Sequence, residues 1–254
     1  MASYIEQGIL LEEEESYQEA IAAYEQATLE EPYNPEPLIR KATLLEEVGD
    51  YPNALLSCNA AILLDGYNLV ALNLRGDVLA SLKRFDEAIA DFSDVIAIDP
   101  ADVDSYYNRG LAYANLDQTG YAIQDFTTAI ELDPTHGGAY NNRGLMYYRI
   151  GDYPAALSDF TRAIEVREGF ACSFAHRGRV YESLSDAKRA LEDYTRALQI
   201  SPTDVTALYL RGTLHFAQNE IEQGRRDYEL LIQTAPRDNH LSALAKQTLE
   251  SLRN

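Results

Sequence analysis

Cut at every 34th residue, the 254-residue chain aligns with itself from residue 1 to 238 without an insertion or a deletion. Gly8, Gly76, Gly110, Gly144, Gly178 and Gly212 share one column, with Ala42 in the remaining place. Ala20, Ala54, Ala88, Ala122, Ala156 and Ala190 share a second, completed by Gly224. A third is aromatic, Tyr24, Phe92, Phe126, Phe160, Tyr194 and Tyr228, interrupted by Cys58. Pro32, Pro100, Pro134, Pro202 and Pro236 close their copies, with Gly66 and Glu168 as the exceptions. A period in this range means a core assembled by stacking one supersecondary unit on the next, so length gives no count of globular domains.

Within a copy the apolar spacing is helical. In the fifth, Tyr140, Met146, Tyr147 and Ile150 line one segment, and Ala156, Leu157, Phe160, Ala163 and Ile164 line the next. Steps of three and four residues place each set on one helix face. Gly151-Asp152 interrupts between the two, and Pro154 suits the first turn of the second helix. Each copy therefore reads as a two-helix hairpin. The small columns let its helices approach, and the aromatic column fills the space beside them.

These columns resemble the tetratricopeptide repeat family, over seven copies: 1–34, 35–68, 69–102, 103–136, 137–170, 171–204 and 205–238. The resemblance implies an all-α fold, a right-handed α-solenoid of antiparallel helix pairs, with a concave groove lined mainly by each pair's first helix. Two turns depart from the pattern and are expected to be looser: LDQTGYA in the fourth copy and REGF at the close of the fifth. Residues 239–254 place Leu241, Leu244, Ala245, Leu249 and Leu252 on one face and read as a C-terminal capping helix.

Arg75, Arg109, Arg143, Arg177 and Arg211 precede the glycines, and Asp91, Asp125, Asp159, Asp193 and Asp227 precede the aromatics. The first two copies lack both, having Gln7 and Lys41, Ala23 and Ser57. Residue types that come and go together on antiparallel helices read as an ion pair inside each repeat, in preference to an arginine ladder that binds ligand.

The net charge of −20 is unevenly placed. Residues 1–34 hold nine acids and no Lys or Arg, and the whole surplus lies in residues 1–136. Such a field repels nucleic-acid phosphates and anionic lipid and favours a basic partner. No apolar run approaches the roughly 20 residues of a bilayer span, and the acidic start is unlike a secretory signal. Cys58 and Cys172 form no disulfide framework or metal spacing, which points to a reducing cytoplasm.

Catalysis finds no support. Phosphate-binding loops, dinucleotide fingerprints, HExxH and CxxC are absent, and His136, His176, His215 and His240 show no metal-ligand spacing. No cofactor is expected. Function then falls to the first-helix residues that differ between copies. Carried over from the family's columns, the expected peptide-binding residues are Tyr107, Asn108, Asn115, Asn141, Asn142, Tyr148, Arg149, His176 and Arg179. An amide donates and accepts at once, so it can hold a peptide backbone whatever the side chain. The subtype that clamps C-terminal carboxylates with lysines is disfavoured, because Ile5, Ile9, Ile39, Thr43, Asn73 and Asp77 occupy the matching region. The expected function is a non-enzymatic scaffold binding a peptide or protein segment. The alternatives are an assembly factor for a multi-subunit complex and a regulatory subunit of a separate enzyme.

Overall fold

Each 34-residue copy closes its hairpin with the same backbone device. In the computed structural model, which describes residues 3–166, 171–236 and 238–252, the backbone enters the left-handed region at Glu15, Gly49, Lys83, Asp117, Gly151, Ser185 and Asn219, with φ between 56° and 80°. These positions are spaced one repeat apart. At each, the next residue's N–H reaches back to a carbonyl five residues earlier, as in Ser16 to Leu11 (2.8 Å), Arg84 to Leu79 (2.8 Å) and Asp186 to Tyr181 (2.8 Å). This is a Schellman closure, which satisfies the last carbonyls of one helix and reverses the chain into the next. The fourth copy's LDQTGYA turn was expected to be looser. It has the same closure, through Asp117 and the bond from Gln118 N–H to Tyr113 O (2.9 Å). The REGF stretch lies outside the described residues.

Fifteen α-helices result among the described residues, with no strand. The first helices of the hairpins are α1 (Tyr4–Glu13), α3 (Glu36–Glu47), α5 (Leu69–Ser81), α7 (Val103–Asn115), α9 (Gly137–Arg149), α11 (Ala171–Ser183) and α13 (Val205–Ala217). Their second helices are α2 (Tyr17–Glu30), α4 (Tyr51–Leu64), α6 (Phe85–Ile98), α8 (Thr119–Leu132), α10 (Tyr153–Val166), α12 (Ala187–Ile200) and α14 (Ile221–Thr234). A final helix, α15 (His240–Ser251), packs on α14 through Ala245 and Leu249, while Leu252 is exposed at its C-cap. Ile150, expected on the packed face of its helix, is likewise exposed because it forms the C-cap of α9.

The chain divides into two compact units, one running through Leu132 and the other from Asp133 onward. Each is an α-solenoid in which a hairpin packs on the next. The aromatic column lies fully buried across the glycine of its own repeat. A Cβ built on Gly76 would stand 2.5 Å from the Phe92 ring, and one on Gly144 2.9 Å from Phe160. In the second repeat both partners change, with Ala42 and Cys58 buried in place of Gly and an aromatic. Burial holds the Cys58 thiol neutral, with its pKa pushed up to about 12.

The Arg and Asp columns form an ion pair within each of the third to seventh repeats. Arg109 Nε and Nη2 each donate to one Asp125 oxygen at 2.8 Å, and Arg177 does the same to Asp193 at 2.9 Å. The remaining nitrogen crosses to the second helix of the preceding repeat: Arg75 to Asn59 (3.0 Å), Arg109 to Ser93 (2.9 Å), Arg177 to Thr161 (3.0 Å) and Arg211 to Thr195 (3.2 Å). Each of these arginines thus ties together three helices. The aspartates are buried, so the geometry, a bidentate fork on a desolvated carboxylate, is the strong form of this interaction.

Candidate functional site

In the unit that ends at Leu132, the first helices α3, α5 and α7 pack side by side and, with the start of α6, line an open cavity of about 520 Å³. Glu46, Asp77, Lys83, Phe85, Asn108 and Asn115 contribute to its lining. Asn108 Nδ2 donates to Asp77 Oδ1 at 2.9 Å, joining α7 to α5. Burial is the first cause of a raised Asp77 pKa, and the carboxylates of Glu46 and Asp104 add to it, taking it to about 7. Glu46 is raised as well, by burial and then by Glu47. Asn115 is exposed, its Nδ2 donating to Leu111 O of its own helix at 2.9 Å. Tyr107 is half-buried, with its ring 5.9 Å from that of Phe126.

The second unit's first helices carry the other expected residues. Asn141 is buried, and its Oδ1 accepts from Ser173 Oγ and from His176 Nδ1, each at 2.9 Å. Asn142 is half-buried beside it, its Oδ1 accepting from Asn141 Nδ2 at 3.3 Å. Burial and then the charge of Arg179 lower the His176 pKa to about 4. The ring is therefore neutral at pH 7 and carries its proton on Nδ1, facing the Asn141 oxygen. Arg179 lies over the Tyr148 ring, 5.1 Å from its centroid, and the Tyr148 hydroxyl meets Ser183 Oγ at 3.2 Å. Tyr148, Arg179, Glu182, Ser183 and Leu210 line a cavity of about 290 Å³. Arg149 is exposed at the end of α9.

The structure thus brings Asn108 and Asn115 to one cavity and Tyr148 and Arg179 to another. Asn141 and His176 form a buried polar contact between neighbouring hairpins. The same columns, two repeats earlier, pair Ser105 Oγ with Asn73 Oδ1 at 2.7 Å. Asp77 was not among the expected site residues. Its signal in the sequence was an acid in a column that elsewhere holds Leu111, Leu145, Arg179 and Thr213. Among the described residues no group of three or more His, Cys, Asp or Glu could hold a metal ion. None of the helices is long and apolar enough to cross a membrane, also among the described residues.

Three family models match the chain. A TPR repeat model covers residues 76–117, and a tetratricopeptide repeat model covers 103–136 and 138–170. A second tetratricopeptide repeat model covers 5–68 and 176–239, half of the chain by itself. The chain belongs to the tetratricopeptide repeat family.

Among solved structures, this tetratricopeptide repeat chain is similar to a tetratricopeptide repeat protein from Parabacteroides merdae ATCC 43184, at 22% identity with TM-score 0.79, covering 97% of each chain. YrrB, described as a TPR protein with an unusual peptide-binding site, is 27% identical with TM-score 0.60, over 74% of this chain and 96% of its own. PilW, a type IV pilus biogenesis factor, shares the fold at 19% identity and TM-score 0.73, over 83% of this chain and 97% of its own. Comparison with curated proteins gave no match.

Proposed function

We propose that this tetratricopeptide repeat chain is a non-enzymatic interaction scaffold that binds a peptide or protein segment on the first-helix faces of its hairpins. The observation that carries the reading is the cavity between α3, α5 and α7, where residues that differ between repeats face a common space. Structural columns are the same from copy to copy and are occupied in packing, so recognition falls to the variable ones. YrrB, similar in fold and described as having a peptide-binding site, supports the same class of ligand. The surplus of acids in residues 1–136 favours a basic segment. The two free cysteines suit a reducing compartment such as the cytoplasm.

In this reading Asn108 and Asn115 are the contacts on the first unit's face, with Tyr107 beside them, and Tyr148 and Arg179 are those on the second unit's face, with Asn142 and Arg149 beside them. Asn141 and His176 hold the first helices in place. Losing an amide that pairs with a buried peptide group costs about 1–3 kcal/mol, or roughly 5- to 150-fold in affinity. The test begins with affinity purification and mass spectrometry to identify the partner. That partner is then titrated into wild type, Asn108→Ala, Tyr148→Ala and Glu131→Gln, the last on an exposed position of α8. The first two variants should lose affinity and the third should not. Folded first-helix variants that bind like wild type, while Glu131→Gln fails, would move the site to the second helices.

A further inference from the structure

Asp77 is a half-buried carboxylate with the acids Glu46 and Asp104 near it, and among the described residues no cation pairs with it. Its Oδ1 accepts from Asn108, and among the described residues neither its second oxygen nor Asn108 Oδ1 takes a further hydrogen bond. No ion pair reaches Asp77 or Glu46 among the described residues. Lys83 also lines the cavity, yet the groups acting on the Asp77 carboxyl besides burial are the acids Glu46 and Asp104. A carboxylate so placed is stabilised by any positive charge that enters. The rest of the lining is apolar or neutral, with Phe85 and Leu111 on the walls. At about 520 Å³ the cavity has room for one long side chain.

We infer that the cavity between α3, α5 and α7 receives a lysine or arginine side chain of the bound segment, with Asp77 as its counter-ion. The aliphatic stem lies along Phe85 and Leu111, as long basic side chains do against apolar surface. The charged head meets the free oxygen of Asp77 and is held there by Asn108 Oδ1, which the bond from Nδ2 to Asp77 leaves directed as an acceptor. Glu46 adds charge at the same cavity. This inference rests on the proposed binding of a segment to the first-helix face and names the side chain that face selects. Because the Asp77 carboxyl must ionise to serve, binding strengthens as pH rises from 6 to 8.

The test selects a displayed library of random dodecapeptides on the immobilised full-length protein, then maps a selected peptide by amide shifts of the 15N-labelled protein. The expected result is enrichment of Lys or Arg at one position, with shifts on α3, α5 and α7. Replacing that residue by norleucine, or making Asp77→Asn, should weaken binding at least tenfold and remove its rise with pH. Glu46→Gln gives a second, smaller loss at a position that does not bond Asn108. Circular dichroism establishes that both variants fold. Peptides that shift α3, α5 and α7 but tolerate norleucine would overturn the cation pocket and leave the first-helix reading standing. Shifts confined to α4 and α6, or a library from which no peptide at all is enriched, would overturn both.

Discussion

At the scale of single residues, the sign of a substitution separates packing from propensity. Alanine is favoured over glycine in a helix interior by about 1 kcal/mol. Gly144 lies within α9, yet its Cβ would sit 2.9 Å from a Phe160 ring that is fully buried. Gly144→Ala is therefore expected to destabilise by about 1–3 kcal/mol through overpacking, read as a fall in the urea midpoint. A rise would mean that the ring yields. This contact was legible in the sequence, since Ala42 and Cys58 change together where the other repeats pair Gly with an aromatic. Asp77 was less legible, because its character comes from neighbours on α3 and α7 that no single repeat contains. Its pKa is raised to about 7, above the roughly 3.9 of an unfolded chain. The folded state therefore holds that proton to higher pH. The group's contribution is fully present below the unfolded value and is lost as pH rises through about 7. Asp77→Asn should accordingly exceed wild type in stability at pH 8, by about 1–3 kcal/mol, and match it at pH 4. Denaturant titrations at the two pH values check this, and a difference independent of pH would remove Asp77 as its source.

The hairpin is the element of this chain, and two columns hold it. Five of its seven left-handed turn positions carry a side chain: Glu15, Lys83, Asp117, Ser185 and Asn219. Because only Gly49 and Gly151 announce the conformation, the column does not stand out in the sequence. The fourth repeat's turn read as loose because LDQTGYA departs from the wording of the other turns. A side chain there pushes Cβ toward its own carbonyl, at roughly 1–2 kcal/mol, so Lys83→Gly should stabilise by about 0.5–1 kcal/mol once the added freedom of the unfolded chain is counted. Thermal melts decide it, and no gain would indicate that the lysine makes an offsetting contact. The second column was readable. Arg and Asp recur together, and the structure joins them in bidentate pairs such as Arg109 with Asp125. The bond from Arg109 Nη1 to Ser93 in the preceding repeat was not readable, since Asn59 and Ser93 share that column without sharing a residue type. Asp125 is buried and Arg109 half-buried, so losing one partner strands a desolvated charge, at about 3–5 kcal/mol. A double-mutant cycle on Arg109 and Asp125 should give favourable coupling above about 1 kcal/mol. Coupling near zero, together with loss of partner binding in Arg109→Ala, would return the arginines to the role of ligand contacts.

Over the whole molecule, charge and chemistry are distributed differently. The repeat carries its small, aromatic and ion-pair columns into both compact units, while the acid surplus is confined to residues 1–136 and the rest of the chain is close to neutral. Packing does not require that asymmetry, because the acids are mainly exposed: Glu13, Glu14, Glu30 and Glu31 all face solvent. An exposed charge far from any partner adds little to stability, but summed charges steer an oncoming ligand over distances comparable with the Debye length, about 10 Å at 0.1 M salt. A basic segment should therefore associate quickly at low ionic strength and more slowly as salt is added, with a smaller change in its rate of release. Raising NaCl from about 50 to about 300 mM should lower the association rate at least tenfold. Replacing Glu13, Glu14 and Glu30 by Gln should flatten that salt dependence while leaving the Asp77 cavity intact. Stopped-flow association of the identified partner measures both. If wild type and the triple variant respond equally to salt, these surface acids take no part in recognition, and the field that matters is the local one around Asp77.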